Sequence, residues 1–304
     1  MRPDRPTLGV AMMLGFCVTV PFSDAFAKLA GATLPLAMVL AARLVFQAVV
    51  LSPLAVASGA GLRLGPRLFG LALVRSMLNL GGLAAIYASF RYLPLADAIA
   101  IAYVMPFILL FLGRHLMGEE VGSRRVAAAV TGFLGTLLVV QPSFAEVGLP
   151  ALLPVLGAVI FALFILTTRV IAREVNPVTL QAVSGWMGLA MLLPLAGLGM
   201  AFGVADLAVV APSPREWWLL AGIGAFGTVS HFFMAASLRH APSATVAPVQ
   251  YLEIPVAAIV GWLFFREFPD GLALAGIVVI LASGLYIVFR ERELSRARDP
   301  AGAA

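Results

Sequence analysis

Ten apolar stretches, each about twenty residues long, follow one another near 7–28, 35–57, 68–90, 95–114, 124–141, 149–172, 177–200, 216–238, 244–265 and 270–289. A helix rises ~1.5 Å per residue and the hydrocarbon layer of a bilayer is ~30 Å thick, so roughly twenty apolar residues cross it. No soluble fold could hide so many such runs. Apolar side chains make up 62% of the chain and charged ones 12%, against about 25% charged in soluble domains. The expected class is an all-α integral membrane protein, because a helix satisfies its own backbone without water.

The net charge of +5 invites a nucleic-acid partner, and its distribution argues against one. The basic residues are all Arg except Lys28, and most stand singly or in pairs between apolar runs. That is how the loops of a membrane protein are charged. With the amino terminus inside, fourteen basic residues fall on the cytoplasmic side and only Lys28, Arg91, Arg215 and Arg266 outside, which puts both termini in the cytoplasm. Trp217 and Trp218 then meet the outer interface. Arg2 and Arg5 before the first run, with Ala25, Phe26 and Ala27 near its end, also fit a cleaved signal peptide. Losing that run would leave nine spans, and the retained helix is preferred. The single Cys17 supplies neither a disulfide framework nor a multi-cysteine metal site.

Residues 88–96 read ASFRYLPLA and residues 236–244 read ASLRHAPSA. An offset of 148 carries Ala88, Ser89, Arg91, Pro94 and Ala96 onto Ala236, Ser237, Arg239, Pro242 and Ala244. It also carries Tyr103 onto Tyr251, Gly113 onto Gly261 and Glu119 onto Glu267. Each stretch joins the third span to the fourth in its own set of five. Five is odd, so the second set enters the bilayer from the opposite side. The expected organisation is two inverted five-helix repeats, 1–145 and 146–290, followed by a basic cytoplasmic tail, 291–304. Inverted repeats around a midplane site are one way to build alternating access.

Ten spans in two sets of five, with Arg91-Tyr92-Leu93-Pro94-Leu95-Ala96-Asp97-Ala98 leading into the fourth, resemble the drug/metabolite transporter superfamily, EamA type. The stretch APVQYLEIPVAAIVGWLFFREFPD at 247–270 resembles the ninth span of bacterial members. The resemblance implies a carrier in the bacterial inner membrane that exports amino acids and other metabolites, or takes up compounds such as riboflavin or S-adenosylmethionine. It implies that spans one to four and six to nine line a cavity. Spans five and ten would be peripheral, where small residues such as Ala128 and Gly132 could meet a second subunit in a homodimer. One departure weakens transfer from the aromatic amino-acid exporters: many family exporters carry Trp early in span one, and here none precedes Trp186.

Ionisable groups inside spans point to the site, because hydrocarbon penalises each by ~2.5–3.5 kcal/mol. Glu253 lies about ten residues into span nine, near the bilayer middle, and its repeat mate is the neutral Met105. It suits a proton carrier or a cation contact, or else a structural ion pair with Arg43 or Arg75. Arg43 in span two and Arg75 in span three could each hold a carboxylate or phosphate. Arg75, nearer the cytoplasmic end, is read mainly as snorkelling to the interface. Tyr103 and Tyr251 could flank a substrate, Gln250 and Gln181 add amide contacts, and Trp186 stack on a flat ligand. His231 titrates near neutrality or simply packs. Asp24 and Asp97 read as helix-end residues. Pro106, Pro248 and Pro255 permit kinks in repeat-related spans and are candidate hinges.

No GxxxxGK[ST] is present, so flux would be driven by a gradient, a proton or a counter-substrate. HExxH and Cys/His clusters are absent, and His115, His231 and His240 are widely spread, which argues against an intramembrane enzyme. A channel is a further class. No cofactor or metal is expected. The cargo reads as a small zwitterionic or amphipathic metabolite.

Overall fold

The computed structural model describes residues 6–59, 61–105, 107–109, 111–112, 123–172, 174–241, 247–269 and 271–298. Of the positions singled out above, Arg2, Arg5, Pro106, Gly113, His115, Glu119, Pro242 and Ala244 lie outside the described residues. Within them the chain forms α1 Pro6–Gly31, α2 Leu36–Ala57, α3 Pro66–Ser89, α4 Leu95–Ala102, α5 Ser123–Val147, α6 Leu153–Ala172, α7 Pro177–Ala201, α8 Pro214–His240, α9 Glu253–Phe265 and α10 Gly271–Arg298. No strand occurs among the described residues.

The helix starts are written locally. Ser213 accepts from the Glu216 amide while the Glu216 side chain accepts from the Ser213 amide, a capping box ahead of α8 with Pro214 at its first position. Asn176 accepts from the Val178 amide ahead of α7, where Pro177 opens the helix.

Six helical stretches are long and apolar enough to cross a membrane: Thr7–Gly31, Leu36–Ala57, Pro66–Ser89, Leu149–Ala172, Pro177–Ala201 and Pro214–His240. Shorter apolar stretches occupy Leu95–Leu109, Val130–Val139, Val249–Phe265 and Gly271–Ser283. Large apolar side chains stand on the outside of the bundle; Val18, Val49, Met77, Leu193 and Val278 are more than half exposed. Water would penalise that surface and lipid would not. Trp217 and Trp218 are exposed at the start of α8.

Helices pair in a regular way. The most extensive contacts join α1 with α8, α3 with α6, α2 with α7 and α5 with α10. Next come α2 with α8, α3 with α7 and α1 with α9. The small residues of α5 are used within the chain. Gly135 and Gly276 bring α5 and α10 together so closely that an added Cβ on Gly276 would stand 2.6 Å from the Gly135 carbonyl oxygen. The side chain of Ala128 lies outside the described residues.

Two helices are shorter than the sequence suggests. The apolar run expected over 95–114 is broken, with α4 stopping at Ala102 and a turn at Tyr103 and Val104. The run over 244–265 is split into a 3-10 segment, Ala247–Leu252, and α9. The split lies directly ahead of Pro255. Pro255 falls in the first turn of α9, where its missing N–H leaves no intrahelical bond unmade. Pro248 lies in the 3-10 segment, and its side chain is outside the described residues. The last helix, α10, continues into the basic tail as far as Arg298.

Candidate functional site

The breaks at Tyr103 and ahead of Glu253 bring those two residues together. Tyr103 ends α4 and its hydroxyl donates to Glu253 Oε2 at 2.6 Å. Glu253 is the first residue of α9, where the helix dipole favours a carboxylate. Both side chains face a cavity of about 90 Å³ between α1, α2, α3, α4, α6, α8 and α9. Its other polar lining groups are Asp24, Arg43, His231 and Gln250, set among aromatic and aliphatic side chains that include Phe16, Phe161 and Phe164.

Arg43 occupies the opposite wall and is fully buried. Its Nη1 donates to Ser23 Oγ at 3.2 Å and Tyr87 OH at 3.2 Å, and its Nη2 donates to the Gly227 carbonyl at 3.2 Å. Nη2 also meets the ring nitrogens of His231. Four helices therefore converge on one guanidinium. Among the described residues the ion pairs are Lys28–Glu267, Arg67–Glu174 and Arg91–Asp206, so the structural ion pair considered for Glu253 with Arg43 or Arg75 is not formed.

Arg75 corrects another expectation. It does not snorkel; it is fully buried, with Nε donating to Thr168 Oγ1 at 2.8 Å and Nη1 to Ser184 Oγ at 2.6 Å. Its guanidinium lies over the Phe164 ring, 4.6 Å from the centroid. Snorkelling fails because α6 and α7 close over the side chain and supply neutral oxygen acceptors from Thr168 and Ser184.

Gln181 is a brace and not a cavity residue. Its Nε2 donates to the His231 carbonyl at 2.6 Å, and it accepts from Gln47 Nε2 through its own carbonyl at 2.6 Å. Trp186 is half exposed on the outside of α7 and donates to Ser52 Oγ at 2.9 Å, away from the cavity. Tyr251 sits behind Tyr103, ring centroids 5.4 Å apart, with its hydroxyl buried and unpartnered. Asp24 lines the cavity and does not end its helix, since α1 runs on for seven residues beyond it. Asp24 and Ser23 form a polar pair inside an apolar run, the signal that would have found them. Tyr87, Gln47 and Phe164 carried no signal of comparable strength.

At one end of the bundle Lys28 Nζ reaches Glu267 Oε1 at 2.8 Å and Oε2 at 2.6 Å, and donates to the Leu93 carbonyl at 3.1 Å. Glu267 Oε2 also accepts from the Leu95 amide at 3.2 Å. The end of α1, the α3–α4 connection and the segment after α9 are thus tied together.

A sequence profile for the EamA-like transporter family matches residues 7–141 and again 148–289. The chain belongs to the EamA-like transporter family. Family membership and the apolar helices together make it a multi-pass membrane protein. Similar relatives include a riboflavin transporter of Rhizobium johnstonii, 33% identical over 75% of this chain and 72% of that protein. An S-adenosylmethionine uptake transporter of Rickettsia prowazekii is 25% identical over 94% of each. The pseudopaline exporter CntI of Pseudomonas aeruginosa is 28% identical over 90% of this chain and 94% of that one. A solved crystal structure shares the fold, with a TM-score of 0.66 at 19% identity over 93% of this chain and 98% of that one. These family relatives are named as carriers, and among the described residues no group of three or more His, Cys, Asp or Glu could hold a metal.

Proposed function

We propose that the protein is a secondary carrier that moves a small zwitterionic or amphipathic metabolite across the bacterial inner membrane by alternating access. It is not an enzyme. Residues 1–145 and 146–290 act as two inverted five-helix units, and both termini are cytoplasmic. One observation carries the reading: the cavity is closed by polar contacts between the units, Tyr103 to Glu253 and Arg43 to His231. Sliding one unit against the other would break those contacts and open the cavity to one side.

Three further observations support it. Adding five to each helix number turns the α1–α8 pairing into the α6–α3 pairing, α2–α8 into α7–α3, and maps α2–α7 and α5–α10 onto themselves. The repeat mates Tyr103 and Tyr251 both lie at breaks in their spans. The family profile matches the chain twice, once on each side of 141–148. Irregular backbone beside a midplane cavity is where carriers of inverted design bind cargo. Glu253, Arg43, Tyr103, Gln250, His231 and Asp24 would contact the cargo, a proton or counter-substrate completing the cycle. Tyr251 and Gln181 would support them from behind.

Uptake of a vitamin or cofactor is the second reading, favoured by the riboflavin and S-adenosylmethionine carriers among the relatives. Purified protein in proteoliposomes preloaded with unlabelled S-adenosylmethionine or riboflavin should accumulate the labelled compound by counterflow. Glu253→Gln should lower that rate at least about tenfold, the scale expected when a charge-assisted bond worth ~1.5–3 kcal/mol is lost. Flux that rises linearly with concentration and shows no counterflow would sink the carrier reading in favour of a channel.

The Lys28–Glu267 tie should act as a latch on the outer mouth. In Glu267→Gln, a cysteine introduced by Phe90→Cys should react about fivefold faster with a membrane-impermeant maleimide, matching ~1 kcal/mol for a partly exposed ion pair. An unchanged rate would remove the latch from the mechanism.

A further inference from the structure

Two buried arginines are unusual in having only neutral partners. Arg43 is fully buried, lines the cavity, and keeps one donor, Nε–H, with no partner. Arg75 is fully buried on Thr168, Ser184 and the Gln181 side chain. Neither is in an ion pair with a described residue. A desolvated guanidinium costs several kcal/mol; the Asp24 carboxylate on the same cavity acts on Arg43 without forming a salt bridge with it, so an anion placed against either fork recovers more of that cost. Neutral hydroxyls and carbonyls hold the forks in shape, and neither guanidinium is paired directly with a carboxylate.

The Phe164 ring reaches the surroundings of both cations. Phe164 lines the cavity, lies 6.0 Å from the His231 ring on the Arg43 side, and takes the Arg75 guanidinium over its face at 4.6 Å. The two sites are also joined through Gln181, whose oxygen faces Arg75 Nη2 at 3.5 Å and whose nitrogen donates to the His231 carbonyl at 2.6 Å. Arg43 lies seven residues from the start of α2, next to the end tied by Lys28; Arg75 lies nine residues from the opposite end of α3. The cations therefore sit at successive depths.

We infer that the cargo carries an anionic group, a carboxylate or a phosphate, and that Arg43 and Arg75 receive it in turn, with the Phe164 ring as the shutter between them. The inference rests on the carrier reading above. Glu253, on the same cavity, leaves room for a cationic or hydrogen-bonding portion of the cargo. The guanidinium fork suits both anions, since each offers paired oxygens.

Matched probes test the chemistry. Binding to the full chain in detergent is measured by calorimetry for S-adenosylmethionine against its decarboxylated form, and for flavin mononucleotide against riboflavin. In at least one pair the anionic member should bind ten times or more tighter, and Arg43→Gln should erase that preference. A carboxylate preference shows in the first pair and a phosphate preference in the second. Equal or tighter binding of the members that lack the carboxylate or phosphate, or no binding by either member that carries one, overturns the inference.

The handover is tested by counterflow of the anionic probe that binds. Arg75→Gln should slow it at least tenfold and Arg75→Lys should restore at least a third of the rate. A wild-type rate in Arg75→Gln, or no rescue by Arg75→Lys, overturns the second station. Should Arg75→Gln not fold, Phe164→Leu decides: probe efflux without counter-substrate should rise at least threefold, and an unchanged efflux overturns the shutter. The carrier reading fails separately, if a probe that binds shows no counterflow in the wild type.

Discussion

Arg43→Met is expected to abolish measurable transport and to lower the melting temperature of the purified protein. The substitution keeps a long apolar stem and removes the fork that ties Ser23, Tyr87, Gly227 and His231 to α2. Hydrogen bonds to a charged donor are worth ~1.5–3 kcal/mol each, and acceptors left buried without a partner add their own cost. A net loss of at most roughly 3 kcal/mol is the expected scale, below the sum because removing the guanidinium also relieves its desolvation and Ser23 also donates to the Ile223 carbonyl at 3.3 Å. Arg43→Lys should fall between, since an ammonium keeps the charge and cannot reach all four partners at once. Scanning fluorimetry and counterflow on the same preparations read both effects. A variant with methionine here that melts and transports like the wild type would show that the convergence on this guanidinium is incidental.

The second large effect concerns packing. Gly185→Leu should prevent recovery of folded protein, because α2 and α7 meet with backbone against backbone at this point. A Cβ on Gly185 would stand 2.8 Å from the Ala48 nitrogen and 3.0 Å from its Cα, atoms that cannot turn aside. Overpacking a tight interface costs ~1–3 kcal/mol when side chains can adjust, and here only a shift of whole helices would relieve it. That shift would also disturb Gln47 and Gln181, which bond across the same pair. Gly197→Leu is the control: it is on the same helix, and a Cβ added there would meet nothing within 4 Å. Yield on size-exclusion chromatography separates the two. Equal monodisperse yield would mean that α2 and α7 are not held so close in the membrane.

Particular residues show how far the sequence can be read. Glu253, Arg43, Tyr103, His231 and Gln250 are each legible as polar groups in apolar surroundings, and all line one cavity. Arg75 is legible as a charge within a span while its surroundings are not, since Thr168 and Ser184 come from helices about a hundred residues away. Trp186 misleads because an aromatic residue in an apolar helix gives no sign of which face it occupies. Asp24 misleads for a related reason: its distance to the helix end can be judged from the sequence, and the residues α1 meets cannot.

Amino-acid order alone determined that the chain crosses a membrane, roughly where each apolar run begins and ends, and that its two parts echo each other. Those properties follow from transfer free energies and residue spacing, which are local. Tertiary structure decided which polar groups share the cavity, which brace it from behind, and that the spans around Tyr103 and Glu253 break where they meet. In a bundle that is apolar on every side, helix rotation is chosen by packing between distant segments, and no periodicity in the sequence records it.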